Sequence, residues 1–375
     1  MITIFILIKV DMPPAPSPSP RREAGVLFVF NMLCLTAMMA FVPVIGPVVR
    51  GLRLAEWHGG LVITIAGLLW MLMARYWGRR SDRIGRRATL LRALIGAFYA
   101  AMPAVSAARI ADITAPEQRG AMMAKLGAAN AFGMVLGPAI GGLLAKGSLI
   151  LPLYFAAALP LLGALWLALK LPSDAAHQPR PTPPLKLSDP RLRLPLAAMV
   201  LAMSAVITAQ MIVGFYAMDA LHLDAVAAAR AAGIAMTTVG VVLILVQLGL
   251  AKARRMNAAR CLAAGAVLAG VGFLLMPWLG GAPGLYGCYA VMAAGMGLVF
   301  PSIQTLAANA VNPEEQGIAA GSVTAVQGMA MVVAPLACTL LYGVRPWLPY
   351  VAAASLLLLL ALATAAHLRR SAQFS

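Results

Sequence analysis

The sequence is short of charge, and shorter still of acid. Only 11% of its 375 residues are charged, and 12 Asp and Glu stand against 29 Lys and Arg. Soluble globular chains are about a quarter charged. Apolar residues make up 62% of the chain, and the mean hydropathy is +0.87. That much apolar surface does not fit inside a water-soluble fold, which points to an integral membrane protein. The four cysteines, Cys34, Cys261, Cys288 and Cys338, lie far apart in apolar stretches with no CxxC spacing. They read as small core hydrophobes. The four histidines show no metal-ligand spacing, so no metal is expected. Nor is there a nucleophile–base constellation or a phosphate-binding glycine loop, which argues against an enzyme and against a cofactor.

The net charge of +17 could belong to a nucleic-acid binder. The basic residues instead sit in short patches between apolar runs, the layout of a many-spanning protein, so no nucleic-acid partner is expected. Spans are predicted over about 25–49, 55–77, 88–110, 121–144, 148–170, 195–219, 227–250, 261–282, 284–308, 317–342 and 346–366. They are too long and too uniformly apolar for barrel strands. The predicted fold class is an all-α polytopic membrane protein, a helical bundle with about 11 spans.

The start, MITIFILIK, is apolar but too short to span and has no basic region before it. The Pro/Ser-rich PPAPSPSPRR follows, so this is not a secretory signal. Met12 is an alternative start. Residues 1–24 read as a disordered tail. Residues 171–194, with six prolines, read as a polar linker between an N-terminal half, 25–170, and a C-terminal half, 195–368, before a tail at 369–375.

The halves resemble each other. APEQRG at 115–120 matches NPEEQG at 312–317, and one ungapped offset of 197 relates Pro116 to Pro313, Asn130 to Gln327 and Pro138 to Pro335. Such weak internal symmetry marks transporters built from repeated halves. Orientation follows from Lys and Arg: residues 78–87, the linker, 252–260 and the C-terminal tail are rich, and the alternate loops are poor, with Arg50 and Arg53 a mild exception. The rich loops are predicted to be cytoplasmic.

Three motifs carry a family resemblance. GRRSDRIGRR, 78–87, concentrates six charges in ten residues, with Asp82 alone among five arginines. LRALIGAFYAAMPA, 91–104, places Arg92 four residues before Gly96. GMVLGPAIGG, 133–142, places Gly133, Gly137, Pro138, Gly141 and Gly142 at G-x-x-x-G-P-x-x-G-G spacing. Small residues four apart let helices approach closely, and the proline weakens the backbone ladder. Together these resemble the twelve-helix drug:proton antiporter branch of the major facilitator superfamily, whose members export drugs or siderophores.

The resemblance implies a two-half bundle and a role for each motif. Gly78, Asp82, Arg83, Gly85, Arg86 and Arg87 would form a conformational latch between helices two and three. Arg109, Asp112, Glu117 and Arg119 would pair with it. Arg92 and Gly96 would take part in proton coupling. Gly133, Gly137, Pro138, Gly141 and Gly142 would form the antiporter motif. It also implies a monomer in a bacterial-type inner membrane. Polar side chains within spans, Asn31, Gln210, Tyr216, Gln247, Gln304, Asn309 and Gln327, are candidates to line the cavity for a small-molecule substrate.

One departure stands out. Only 23 residues separate Arg87 from Ile110, where the family has two helices, so the third helix is predicted to be missing. The expected function is proton-driven export of small amphipathic molecules. The alternatives are a sugar or metabolite permease, which should carry more polar spans, and a non-transporting or decayed membrane protein.

Overall fold

A computed structural model of the chain describes residues 20–68, 102, 105–106, 109–110, 113–114, 116–171, 189–252, 257–312 and 315–373. Among them every regular element is helical. In a bilayer each backbone N–H and C=O must bond within its own segment, and long helices meet that demand.

The elements are α1 (Pro20–Ala40), a 3₁₀ turn (Val42–Val44), α2 (Ile45–Gly51), α3 (56–68), α4 (Pro116–Leu144), α5 (Leu151–Lys170), α6 (Arg193–Asp219), α7 (Ala225–Lys252), α8 (Ala258–Leu275), α9 (Gly281–Asn309), α10 (Gln316–Val344) and α11 (Leu348–Gln373). Eight stretches of the described residues are long and apolar enough to cross a membrane, the first being α1 and α2 together over Arg22–Gly51. Pro43 and Pro47 break that first span, since neither donates a backbone hydrogen bond. The break lays α2 against α6, where a Cβ on Gly46 would come within 2.7 Å of the Phe215 nitrogen.

α1 begins at Pro20, not at 25. Residues 20–24, expected in the tail, form its first turn, and Glu23 and Ala24 are buried. The other described helices fall on the predicted apolar runs; the predicted span 88–110, and with it the predicted loss of the third helix, lies largely outside the described residues.

Packing partners fix the direction of each helix. Gly133, Gly137 and Gly141 of α4 meet Leu35, Met39 and Ala40 of α1 in ascending order, so these helices run parallel. The helical residues between 102 and 110 run the other way: Ser106 lies beside Asn31, while Arg109 reaches Glu23. They therefore end at the face of the bundle where α1 starts. We call this the near end, and it is the end predicted to be cytoplasmic. Arg50, Lys146 and Asp219 lie at the far end.

Each half has its own core. In the N-terminal half Leu27, Phe30 and Cys34 pack with Val105, Ile110 and Leu167. In the C-terminal half Phe215, Phe273, Tyr289 and Tyr350 are fully enclosed. The Tyr289 hydroxyl donates to the Ala209 carbonyl at 2.8 Å and lies 3.0 Å from the Tyr350 hydroxyl. Large apolar side chains such as Leu161, Leu165, Leu169, Leu245 and Leu248 point outward. In water that would be a liability; on a bilayer-facing surface it is required.

Candidate functional site

The halves meet along two seams, each built on glycine. At one, α7 lies on α4. A Cβ on Gly233 would approach the Pro138 carbonyl oxygen and the Gly142 Cα, both to 2.9 Å, and one on Gly240 would collide with Val135. At the other, α3 lies on α10. A Cβ on Gly60 would approach the Pro335 carbonyl oxygen to 2.6 Å and strike the Thr339 hydroxyl, and Thr64 donates to the Val332 carbonyl at 2.9 Å. Residues 138 and 142 become 335 and 339 at the same offset of 197 that relates the two halves in sequence. The seams are two copies of one joint.

The glycine motif uses both faces of α4. Gly133, Gly137 and Gly141 admit α1 so closely that a Cβ on Gly141 would overlap the Ala40 carbonyl oxygen, while Gly142 admits α7. Pro138 lies within α4 and leaves the helix continuous. Five small or proline residues thus bind one helix to its own half and to the opposite half at once.

The far end carries an ion-pair network across the halves. Arg50 Nη2 lies 2.6 Å from Glu56 Oε1 and 2.7 Å from Asp219 Oδ2. The Tyr342 hydroxyl donates to the same Asp219 oxygen at 2.8 Å. Arg50 and Glu56 belong to the N-terminal half, Asp219 and Tyr342 to the C-terminal half. The arginine that stood out against the charge asymmetry therefore closes the far end.

At the near end two groups stand out. Arg109 donates from Nε and Nη2 to Glu23 Oε2 at 3.0 and 2.8 Å, in a pair almost wholly buried. Arg191, near the end of the linker, donates to Asp189 and to Glu315. Hydrogen bonds from the Arg191 side chain hold the carboxyls of Asp189 and Glu315 below their ordinary values. The Arg191 backbone N–H adds to the effect on Asp189, and that of Asn312 to the effect on Glu315. Asp189 above all, then Glu315, raises Arg191 in turn.

Several predicted site residues fall outside the described ones: Gly78, Asp82, Arg83, Gly85, Arg86, Arg87, Arg92, Gly96 and Asp112. Glu117 and Arg119 lie on α4, with only their backbone described. The described partner of Arg109 is Glu23, which sequence reasoning had placed in a tail.

The seven cavity candidates differ in burial and in partners. Asn31 is fully buried inside the N-terminal half, where its amide donates to the Leu27 carbonyl and the Ser106 hydroxyl, and its Oδ1 has no partner among the described residues. Tyr216 is buried inside the C-terminal half and donates to the Met276 carbonyl. Gln210 and Gln327 are half-buried, the latter 3.6 Å from the Met203 sulfur. Gln247, Gln304 and Asn309 are exposed.

A polytopic helical bundle in two related halves, joined by paired seams and tied at one end, is the architecture of a secondary transporter. The chain belongs to the Major Facilitator Superfamily, whose family model matches residues 88–335 and 196–372. It is a membrane transporter, not an enzyme. Among curated proteins it is 26% identical to the class C tetracycline resistance protein of Escherichia coli, over 76% of this chain and 80% of that one. It is 26% identical to the class G tetracycline resistance protein of Vibrio anguillarum, over 86% and 91%. Among solved structures it resembles the human organic anion transporter MFSD10 (TETRAN), with a TM-score of 0.66 at 19% identity over 93% of this chain and 100% of that one. It also resembles a bacterial homolog of the human lysosomal transporter Spinster, with a TM-score of 0.72 at 12% identity over 95% and 98%. These structural likenesses show the fold alone.

Proposed function

We propose that the chain exports small amphipathic molecules, with tetracycline-like compounds the first class to try, in exchange for protons. The observation that carries this reading is the tie between the two halves at the far end, where Arg50 pairs with Asp219 across joints made of glycine and proline. Joints made by close backbone approach let one half rock on the other, which is alternating access about a site between them. The likeness to tetracycline resistance proteins over three-quarters or more of the chain supports the substrate class and the outward direction. The exporter motif, Gly133 to Gly142, lies on the seam that would move. Arg92 and Gly96 are the positions we propose for proton coupling, and the loop 78–87 for the latch at the near, cytoplasmic end of an inner-membrane monomer.

Everted membrane vesicles carrying the chain test this reading. They should take up tetracycline or an amphipathic dye when a proton gradient is imposed, and release it when an ionophore collapses the gradient. A second reading, a membrane protein that no longer transports, is favoured by one observation. Gly67 and Pro138 are 71 residues apart, whereas Gly240 and Pro335, their counterparts across the joints, are 95 apart. The deficit of 24 residues is one helix of about 36 Å. Gradient-independent, background-level uptake by well-inserted protein would favour that reading.

A further inference from the structure

Arg230 is an arginine on a face meant for lipid. α7 has three faces. Ala229, Gly233 and Gly240 meet α4 or its loop, and Ala228, Ala231, Ala232 and Ala235 are buried. The third face exposes Val226, Ile234, Val241, Leu245 and Leu248, and Arg230 lies between the first two of these. It sits five residues beyond the helix start at Ala225, about 8 Å along the axis, near headgroup depth. Among the described residues no carboxylate pairs with it. Asp224, the nearest acid in sequence, is engaged as the helix cap, its Oδ1 accepting from the Val226 and Ala227 N–H groups at 2.9 Å each.

Arg230 opens on a cavity of about 610 Å³ at the far end, beside the α4–α7 seam, shared with Lys146, Tyr286, Leu223, Asp224 and Ile234. Lys146 comes from the loop between α4 and α5, and Tyr286 from the first turns of α9. Two cations and a phenol thus converge on a space that Asp224, turned to the helix N–H groups, also lines and whose remaining wall is apolar, at an end of the protein otherwise poor in basic residues. An arginine that merely reached for water would need neither the second cation nor the apolar wall.

We propose that this cavity binds an anionic glycerophospholipid of the far leaflet. Its phosphate would sit between the Arg230 guanidinium, which suits the bidentate geometry of phosphate oxygens, and the Lys146 ammonium, with the Tyr286 hydroxyl as a further donor. One acyl chain would follow the stripe from Ile234 to Leu248. Lipid binding there would not require transport.

Native mass spectrometry of the full chain in detergent, titrated with phosphatidylglycerol, phosphatidylethanolamine or inorganic phosphate, tests the site. The wild-type chain should retain one phosphatidylglycerol in preference to phosphatidylethanolamine. Arg230→Gln and Lys146→Gln should each weaken that retention by about fivefold. Arg230→Lys, which keeps the charge, should retain most of it, as should Arg345→Gln, at the same end but outside the cavity. The proposal is overturned by equal retention in the Arg230→Gln/Lys146→Gln double variant. It is equally overturned by parity between the two lipids, by loss in Arg345→Gln, or by displacement with inorganic phosphate at lipid-like concentrations.

Discussion

Gly60 against Pro335 and Gly233 against Pro138 are the same joint made twice, yet the chain behind the two joints differs. In the C-terminal half the 95 residues between Gly240 and Pro335 hold the whole of α8 and α9, and α8 packs along α11. In the N-terminal half the matching interval is 71 residues. α5, the counterpart of α11, is also the more open of the two. Only 22% of its most apolar window is buried, against 44% for α11, and Leu161, Leu162, Leu165 and Leu169 face outward. The joint between halves needs only close backbone approach at a few glycines. The outer layer of a half is separable from it, because lipid can cover an apolar helix face as well as another helix can.

The largest test of this contrast lies inside the halves. The N-terminal core encloses the Glu23–Arg109 pair, the C-terminal core the neutral Tyr289–Tyr350 pair. Glu23→Ala removes the carboxylate that accepts two buried, charge-assisted hydrogen bonds from Arg109, a loss of about 2–3 kcal/mol. Tyr350→Phe should cost about 0.5–1.5 kcal/mol, one hydrogen bond. Thermal unfolding in detergent should rank them in that order, and equal losses would mean that the two cores are held alike.

The joints come next. Gly141→Val forces α4 from the Ala40 carbonyl and should cost about 1–3 kcal/mol, while Gly287→Ala, with no atom within 4 Å, should fall within about ±0.5 kcal/mol. Gly60→Ala and Gly233→Ala sharpen the comparison between seams. The first meets a side-chain hydroxyl as well as backbone, so adding Thr339→Ala should return part of the lost stability. The second meets backbone alone, and no side-chain deletion on α4 should rescue it. Rescue of both, or of neither, would break the asymmetry.

The far-end network should be small in energy and large in consequence. Arg50 is 40% exposed, so a double-mutant cycle of Arg50→Ala with Asp219→Asn should give only about 0.2–1 kcal/mol. The same variants should raise thiol labelling of a cysteine placed at Val49, whose side chain on α2 is buried. Unchanged labelling would show that the network does not hold the far end shut.

How legible was this in the sequence? The apolar runs located the helices because a bilayer forces 20-residue spans, and the offset of 197 located the second-half partner of Pro138. The equivalence of Gly60 with Gly233 was not legible. Its offset is 173, not 197, and only the packing of α3 on α10 reveals it. The difference between the offsets, 24, is the deficit in the N-terminal half. Glu23 was lost in a supposed tail because PPAPSPSPRR reads as disordered. The buried partner of Arg109, nearly ninety residues away, is what makes it structural. Asn31 and Tyr216 looked like cavity groups because a polar residue in a span often lines a cavity. Each instead bonds within its own half, which one strand of sequence cannot distinguish. Arg230 carried a readable signal, a charge within the predicted span 227–250, as Arg92 did within 88–110.

The smallest effect expected is at the near end, and it is one of pH rather than of stability. Asp189 and Glu315 are surface carboxyls held low by Arg191. A depressed carboxyl contributes above its unfolded value, near 4, and loses that contribution as pH falls through its lowered folded value. The tie between the linker and the turn before α10 should therefore survive acidification through the ordinary carboxylate range and open only below it. Following the Glu315 carboxyl carbon by NMR should show its midpoint below that of a free glutamate, and Arg191→Ala should raise it back toward about 4.3. High salt should do part of the same, because the pair is open to solvent. The far-end pair offers the contrast. Asp219 shares the Arg50 charge with Glu56, and Asp219→Asn should leave the Glu315 midpoint unmoved. A shift there would mean that closure at the far end is coupled to the tie at the near end, as rocking of one half against the other would require.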